Sequence, residues 1–298
     1  MQELLKQIRE NVGYSQVKTA DELGVSFATI NRWENGHVLP NRLAQERIYD
    51  FCVKHSVPLY DLIIQKVLNA AKSIKTESNR VILYHGSKAS LSGKIEPKSR
   101  DKCDFGKGFY MGTEPGQPLT LICDFPKSEF YIVSVDINDL EAIEISADIE
   151  WAMVVAYHRG RMEKIKGTTL YEKYENYISG KDLAIGSIAN DRMFYVIDNF
   201  FQELITDQAL VGSLSALQLG RQYVMLTQKG CDKVKVEMKV DLSWLERKCL
   251  QIVSEENRMK GVNMANGICR NYRREGRFFD EILDSALKGG ESYESYRK

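Results

Sequence analysis

The sequence predicts an α+β protein in three parts: an N-terminal all-α helix-turn-helix domain (1–75), a central mixed domain (80–241) and a helical tail (244–298). Three observations predict it. Helical spacing with serine caps and glycine stops fills residues 2–74. From Val81, short apolar runs bounded by glycine are interrupted by helical stretches, with no regular βαβ alternation and no Rossmann glycine fingerprint. Helical spacing resumes at Trp244. The polar stretch Lys72–Arg80 lacks strand periodicity and marks the first boundary.

Leu4, Leu5, Ile8 and Val12 make the inner stripe of a first helix. Ser15 caps a second helix, which stops at Gly24. Ser26 caps a third, Phe27-Ala-Thr-Ile-Asn-Arg-Trp33-Glu-Asn, closed by Gly36, and Ala20, Val25 and Ile30 face inward. Two short helices joined by a glycine turn are a helix-turn-helix. Further amphipathic helices are expected over 41–52 and 58–74. The run Ser-Gln…Ala-Asp-Glu-Leu-Gly-Val-Ser…Thr-Ile-Asn-Arg-Trp-Glu-Asn-Gly resembles the lambda-repressor or Cro-like (XRE) DNA-binding domain. That resemblance implies a recognition helix entering the major groove, with Phe27, Ala28, Asn31 and Arg32 at base edges. It also brings Gln16, Ser26 and Thr29 to backbone phosphates, while Ile30 and Trp33 are core. Acidic and basic residues balance over 1–70, so a protein-docking or dimerisation role for this domain stays open.

Composition bounds the rest. With 298 residues, 43% of them hydrophobic, the chain can bury a sizeable core. A formal net charge of +0 gives no global pull toward nucleic acid or membrane, so such contacts need a local patch. Six scattered cysteines with no C-x-x-C pair argue against a disulfide framework or a zinc site, and no metal is expected. No signal peptide opens the sequence and no apolar run nears a membrane span, so a cytoplasmic location is expected.

In the central domain, strands are expected at 81–85, 130–136, 182–186, 222–227 and 233–240, and helices at 148–160, 171–178 and 192–206. The first strand, Val81-Ile-Leu-Tyr-His85-Gly-Ser87, delivers an imidazole and a flexible backbone at its end. Downstream, Asp104-Phe-Gly-Lys-Gly-Phe-Tyr110-Met-Gly-Thr113 is a glycine-spaced turn running into an aromatic pair. Glycines let a backbone approach a ligand closely, and aromatic rings give it a flat surface. His55 and His158 have no partner motif and read as ordinary histidines.

These two stretches resemble the nucleotide-binding core of ADP-ribosyltransferases of the diphtheria-toxin and poly(ADP-ribose) polymerase type, more closely an uncharacterised bacterial branch of them. The resemblance implies NAD as substrate. Gly86 would bind the carboxamide through its backbone, His85 would hydrogen-bond a ribose hydroxyl and Tyr110 would stack on the nicotinamide. Ser87, Phe105, Gly106, Lys107, Gly108 and Phe109 would line the dinucleotide, with Lys107 available to a phosphate. The segment Lys181-Asp-Leu-Ala-Ile-Gly-Ser-Ile-Ala-Asn190-Asp191 also fits that branch, and Asp191 is either a helix N-cap or a substrate contact.

One position departs from the family. Where it carries a glutamate opening a late strand, this chain has Gln222, in Arg221-Gln-Tyr-Val-Met-Leu-Thr227. A glutamine can bond a ribose 2′-hydroxyl but cannot serve as a general base or hold a cation by charge. The expected function is transfer of ADP-ribose to a macromolecular acceptor (protein, RNA or DNA). Fusion to a repressor-like domain suggests a bacterial toxin or anti-phage protein, with a neutralising antitoxin and a homodimer both open. The alternative is a transcription regulator that senses NAD or ADP-ribose without turnover.

The tail is expected to hold helices over 245–253, 264–274 and 278–287, then a frayed end. Its basic cluster, Arg270-Asn-Tyr-Arg-Arg-Glu-Gly-Arg277, reads as a solvated helix end, with docking on a nucleic-acid backbone as the alternative.

Overall fold

The computed structural model describes residues 1–188, 191–216, 220–272 and 275–288. Five helices lead: α1 (Gln2–Val12), α2 (Gln16–Leu23), α3 (Phe27–Glu34), α4 (Arg42–Lys54) and α5 (Leu59–Lys72). Side chains stop and start them as the sequence predicts. Ser15 accepts from Lys18 N at 3.2 Å and Ser26 from Thr29 N at 3.2 Å, each satisfying an amide that a helix start leaves open. The nearly buried Glu34 ties three helices together, accepting from Arg9 Nε at 2.7 Å and from Gln16 Nε2 at 2.8 Å.

The mixed region follows as β1 (Arg80–Ser87), β2 (Phe109–Gly112), α6 (Gly116–Ile122), β3 (Glu129–Asp136), β4 (Ala142–Glu144), α7 (Ile149–His158) and α8 (Thr169–Glu175). It continues through β5 (Leu183–Ser187), α9 (Asp191–Phe201), α10 (Asp207–Ala216), β6 (Arg221–Met225), α11 (Gln228–Cys231) and β7 (Val234–Val240). The chain ends in α12 (Trp244–Asn271) and α13 (Phe279–Leu287). Helical N-terminus, seven-stranded mixed sheet and helical tail make the α+β class that the sequence predicts.

Sheet order is β4-β5-β6-β2-β1-β3-β7, antiparallel except for β4 beside β5. Strand alternation splits its side chains between two faces. On one face Tyr84, Phe130, Ile132 and Val240 join a core with Leu119 and Ile122 of α6. Leu59, Ile63, Val67 and Ala71 of α5 and Leu245, Cys249 and Leu250 of α12 complete that core. On the same face, Ala184 and Val224 join Trp151, Phe200 and Phe279 in a second core. Leu83, Met111, Val133, Ile185 and Met225 form the third, on the opposite face.

The N-terminal helices therefore share a core with the sheet. Polar contacts reinforce the seam: Lys66 Nζ lies 2.6 Å from the buried Glu246 carboxylate, and Leu245 N donates to Gln45 Oε1 at 3.0 Å. Three expectations need correction. Strands β2 and β4 and helices α6, α10 and α11 add to those expected, and the first two tail helices are one continuous α12. No proline interrupts residues 244–271, and a helix tolerates the internal Gly261 and Gly267 at modest cost. Among the described residues, no helix is long and apolar enough to cross a membrane.

Candidate functional site

Register decides which side chains can meet. Gly112 pairs with Tyr84 on one side and with Gln222 on the other, and Gln222 pairs in turn with Gly186. These four share a face, as do Tyr110, Val224 and Ala184 two residues along. His85 falls on the other face, where its ring stacks on Phe109 with centroids 4.2 Å apart and planes at 25°. The imidazole and the Tyr110 ring thus take opposite sides of the sheet.

What does meet is the His85 side chain and the backbone of β2. Strand β1 registers with β2 only at Tyr84–Gly112, whereas its ladder with β3 runs from Arg80 to Ser87. Where β1 and β2 part, His85 Nδ1 lies 2.7 Å from the Tyr110 carbonyl oxygen. A carbonyl only accepts, so Nδ1 carries the hydrogen and Nε2 is left as an acceptor. Burial pulls the imidazole below its ordinary pKa and favours the neutral ring at neutral pH, although the bond to the Tyr110 carbonyl raises the pKa in opposition.

Tyr110 closes the preceding turn. Its hydroxyl donates to Gly106 O at 2.8 Å and accepts from Phe105 N at 3.0 Å. Gly106 sits at φ 69°, and a Cβ there would stand 2.9 Å from His158 Nδ1, so the turn needs glycine twice over. The Tyr110 ring packs against the core of Phe105, Trp151 and Val224, and burial first, then the Asp104 charge, raises its pKa. Gly108 N donates to Ser99 Oγ at 3.1 Å. Lys107, expected at a phosphate, pairs at the surface with Asp101 at 2.9 Å.

Gly86 has a packing reason of its own. A Cβ there would stand 2.5 Å from Pro118 O and 2.8 Å from Ile122 Cγ2 of α6. Ser87, the next residue, pairs with Glu129 at the sheet rim. The Glu129 carboxyl is held down at about 2, first by Lys239 and then by the Tyr131 hydroxyl.

Gln222 is nearly buried. Its Nε2 donates to Ser187 O at 2.9 Å and to Asp104 Oδ2 at 3.3 Å. Both partners only accept, which assigns the amide: nitrogen inward, Oε1 away from them. The other oxygen of Asp104 accepts from Arg159 Nη2 at 2.7 Å, and Arg159 Nη1 lies 3.9 Å from Asp198. Sequence reasoning did not nominate Asp104 or Arg159. Asp104 opens the glycine-spaced motif, but Arg159, which follows α7, carries no local signal. The Asp191 side chain lies outside the described residues.

Around the Gly106 turn and α7, two polar atoms lie buried without a hydrogen-bond partner among the described residues, Trp151 Nε1 and His158 Nε2. Burial pushes the His158 imidazole down to about 4, so it too is neutral at pH 7. A cleft of about 440 Å³ opens between Tyr60, Asp61, Ile64 and Gln65 of α5 and the 114–117 segment, bordered by Ile188 and Gly220. It abuts the Gly112 end of the Gln222 row, since Ile188 Cδ1 would stand 3.2 Å from a Cβ on Gly112.

On the helix-turn-helix, Ser26, Phe27, Ala28 and Arg32 are exposed and Thr29 and Asn31 half-buried, while Ile30 and Trp33 are core. Gln16, bound to Glu34, also accepts from Asn31 Nδ2 at 3.4 Å.

Comparison with known proteins finds two families in the chain. Residues 5–43 match the family described as Helix-turn-helix. Residues 81–236 match the family described as Protein of unknown function (DUF3990). No curated protein and no solved structure matches. The second match spans more than half the chain and runs from β1 into the start of β7, so the protein belongs to the DUF3990 family and carries a helix-turn-helix ahead of that family's domain.

Proposed function

We propose that this protein is an ADP-ribosyltransferase that takes NAD as substrate, passes ADP-ribose to a macromolecule and meets DNA through its helix-turn-helix. The observation that carries the reading is the placement of His85, Tyr110 and Gln222 on three adjacent strands, β1, β2 and β6, with His85 on one sheet face bonded to the Tyr110 backbone and Tyr110 and Gln222 on the other face. Two features of that arrangement support binding of a dinucleotide. Beyond Tyr84, β1 has no registered partner on β2, which leaves Gly86 available to a carboxamide on that side. Two neutral acceptors, His85 Nε2 and Gln222 Oε1, suit ribose hydroxyls, which donate.

The chemistry asks little of a base. The ribose C1′–N bond breaks, its electron pair returns to the pyridinium ring, and nicotinamide leaves neutral. An acceptor lone pair then forms the new bond to C1′ through an oxocarbenium-like transition state and loses its proton. Gln222 can orient the ribose but takes no proton, so the acceptor must be a good nucleophile or be activated elsewhere.

The test is nicotinamide release from NAD by the full-length protein, with and without bacterial RNA, DNA or lysate protein. Release that disappears in His85→Ala and is retained as label on one fraction supports the transferase and names the acceptor class. No release under any condition sinks it. The uncharged Gln222 favours a second reading, an NAD- or ADP-ribose-sensing regulator, whose sign would be DNA affinity that changes with NAD while nicotinamide stays bound. Arg32→Ala tests the DNA contact in either case. Its loss is expected to weaken binding to the specific site about tenfold and to relax specificity at the base pair it contacts. The repressor-like fusion agrees with a toxin or phage-defence role and a neutralising partner.

A further inference from the structure

We propose that Asp104 is the positioning residue of the site: it locks the Gln222 amide so that only an acceptor faces the ligand, making the site selective for a hydroxyl donor on the nicotinamide ribose. The inference rests on the transferase reading.

The argument begins with what the amide touches. Gln222 Nε2 is shared between Ser187 O at 2.9 Å and Asp104 Oδ2 at 3.3 Å. Turning the amide over would set Oε1 against a carbonyl oxygen and a carboxylate oxygen, two repulsive contacts in a nearly buried place. Asp104 is itself fixed from behind by Arg159, 2.7 Å from its other oxygen, and by the Phe105–Gly106 turn that the Tyr110 hydroxyl closes. Among the described residues, Gln222 Oε1 has no hydrogen-bond partner. A free amide would offer either a donor or an acceptor to a ligand. This one offers an acceptor alone.

The same contacts explain why residue 222 is not a glutamate here. A carboxylate at 222 would face Asp104 with no hydrogen between them and would leave Ser187 O without its donor. Glutamine is the residue that a neighbouring aspartate permits. Selectivity follows, because a site with a fixed acceptor rejects an analogue that has lost the matching hydroxyl.

The experiment measures dissociation constants by calorimetry for NAD and for its analogue lacking the 2′-hydroxyl of the nicotinamide ribose, in the full chain without acceptor. The wild type is expected to prefer NAD by about tenfold or more. Asp104→Asn frees the amide to turn, and the preference should fall to within about threefold while NAD still binds. The double variant Asp104→Asn with Gln222→Glu presents an acceptor whichever way the group turns, with the new amide at position 104 donating to it, and should regain the preference. Gln222→Glu alone should lose NAD binding. An Asp104→Asn protein that keeps the wild-type preference, or a Gln222→Glu protein that binds NAD as the wild type does, overturns the assignment and leaves the transferase reading standing. A wild type that does not bind NAD overturns both.

Discussion

Two buried carboxylates in this protein each hold one arginine and one glutamine, and they hold them differently. Glu34 receives Arg9 on both oxygens, at 2.7 and 3.1 Å, and Gln16 at 2.8 Å. The oxygen of that glutamine then accepts from Asn31 on α3, so every group is used. Asp104 receives Arg159 on one oxygen, and Gln222 on the other at a longer 3.3 Å. There the glutamine oxygen has no hydrogen-bond partner among the described residues. The first arrangement spends all its bonds on shape. The second keeps an acceptor in reserve, as the proposed binding role requires.

Acid should strain the second arrangement. His158 stands against the Gly106 turn with its pKa near 4, whereas the unfolded chain protonates near 6.5. At pH 7 both states are neutral and the shift contributes nothing. Below about 6.5 the unfolded chain takes up a proton that the folded one does not, so stability falls by about 3 kcal/mol on the way to pH 4. Melting curves from pH 7 to 4 check this, and His158→Gln should flatten the slope over that window. An unchanged slope would place the acid sensitivity elsewhere.

Neutralising each carboxylate compares the two directly. Glu34→Gln breaks a two-pronged arginine pair and is expected to cost about 2–3 kcal/mol in urea denaturation, Asp104→Asn about 1–2 kcal/mol. The reverse order would mean that the Asp104 network is the tighter one. Gly86→Ala drives a methyl into the α6 backbone and should cost about 1–2 kcal/mol in the same assay, whether or not NAD is present. Lys107→Ala removes one exposed pair and should leave stability within about 0.5 kcal/mol, so that any loss of NAD affinity in that variant reports on phosphate contact alone.

Much of the fold is legible in the sequence because its signals are local. Serine caps and helical stripes mark α1 to α5, and apolar runs mark β1, β3, β5, β6 and β7. Among the elements left unexpected, β2, β4 and α11 are four, three and four residues long, and α6 contains Gly116 and Pro118. The candidate site divides along the same line. His85, Gly86, Tyr110 and Gln222 stand in motifs and can be nominated from them. That His85 and Tyr110 take opposite faces depends on the β1–β2–β6 register, and the Arg159–Asp104 pair joins residues 55 positions apart. Neither has a local signature.

The core shared by α5, α12 and the sheet changes how this chain can be taken apart. A cut after residue 75 would bare Ile63, Val67 and Ala71 on one fragment and Tyr84, Phe130 and Leu245 on the other, so each piece would be an aggregation hazard and a poor stand-in for the whole. The seam also ties the two ends thermodynamically. A single cooperative melt is expected, and a ligand held at the Gln222 row would stiffen the same packing that carries the helix-turn-helix. Such a chain is not two beads on a string. A descendant that exchanged its N-terminal domain for another would have to reinvent the surface beneath it.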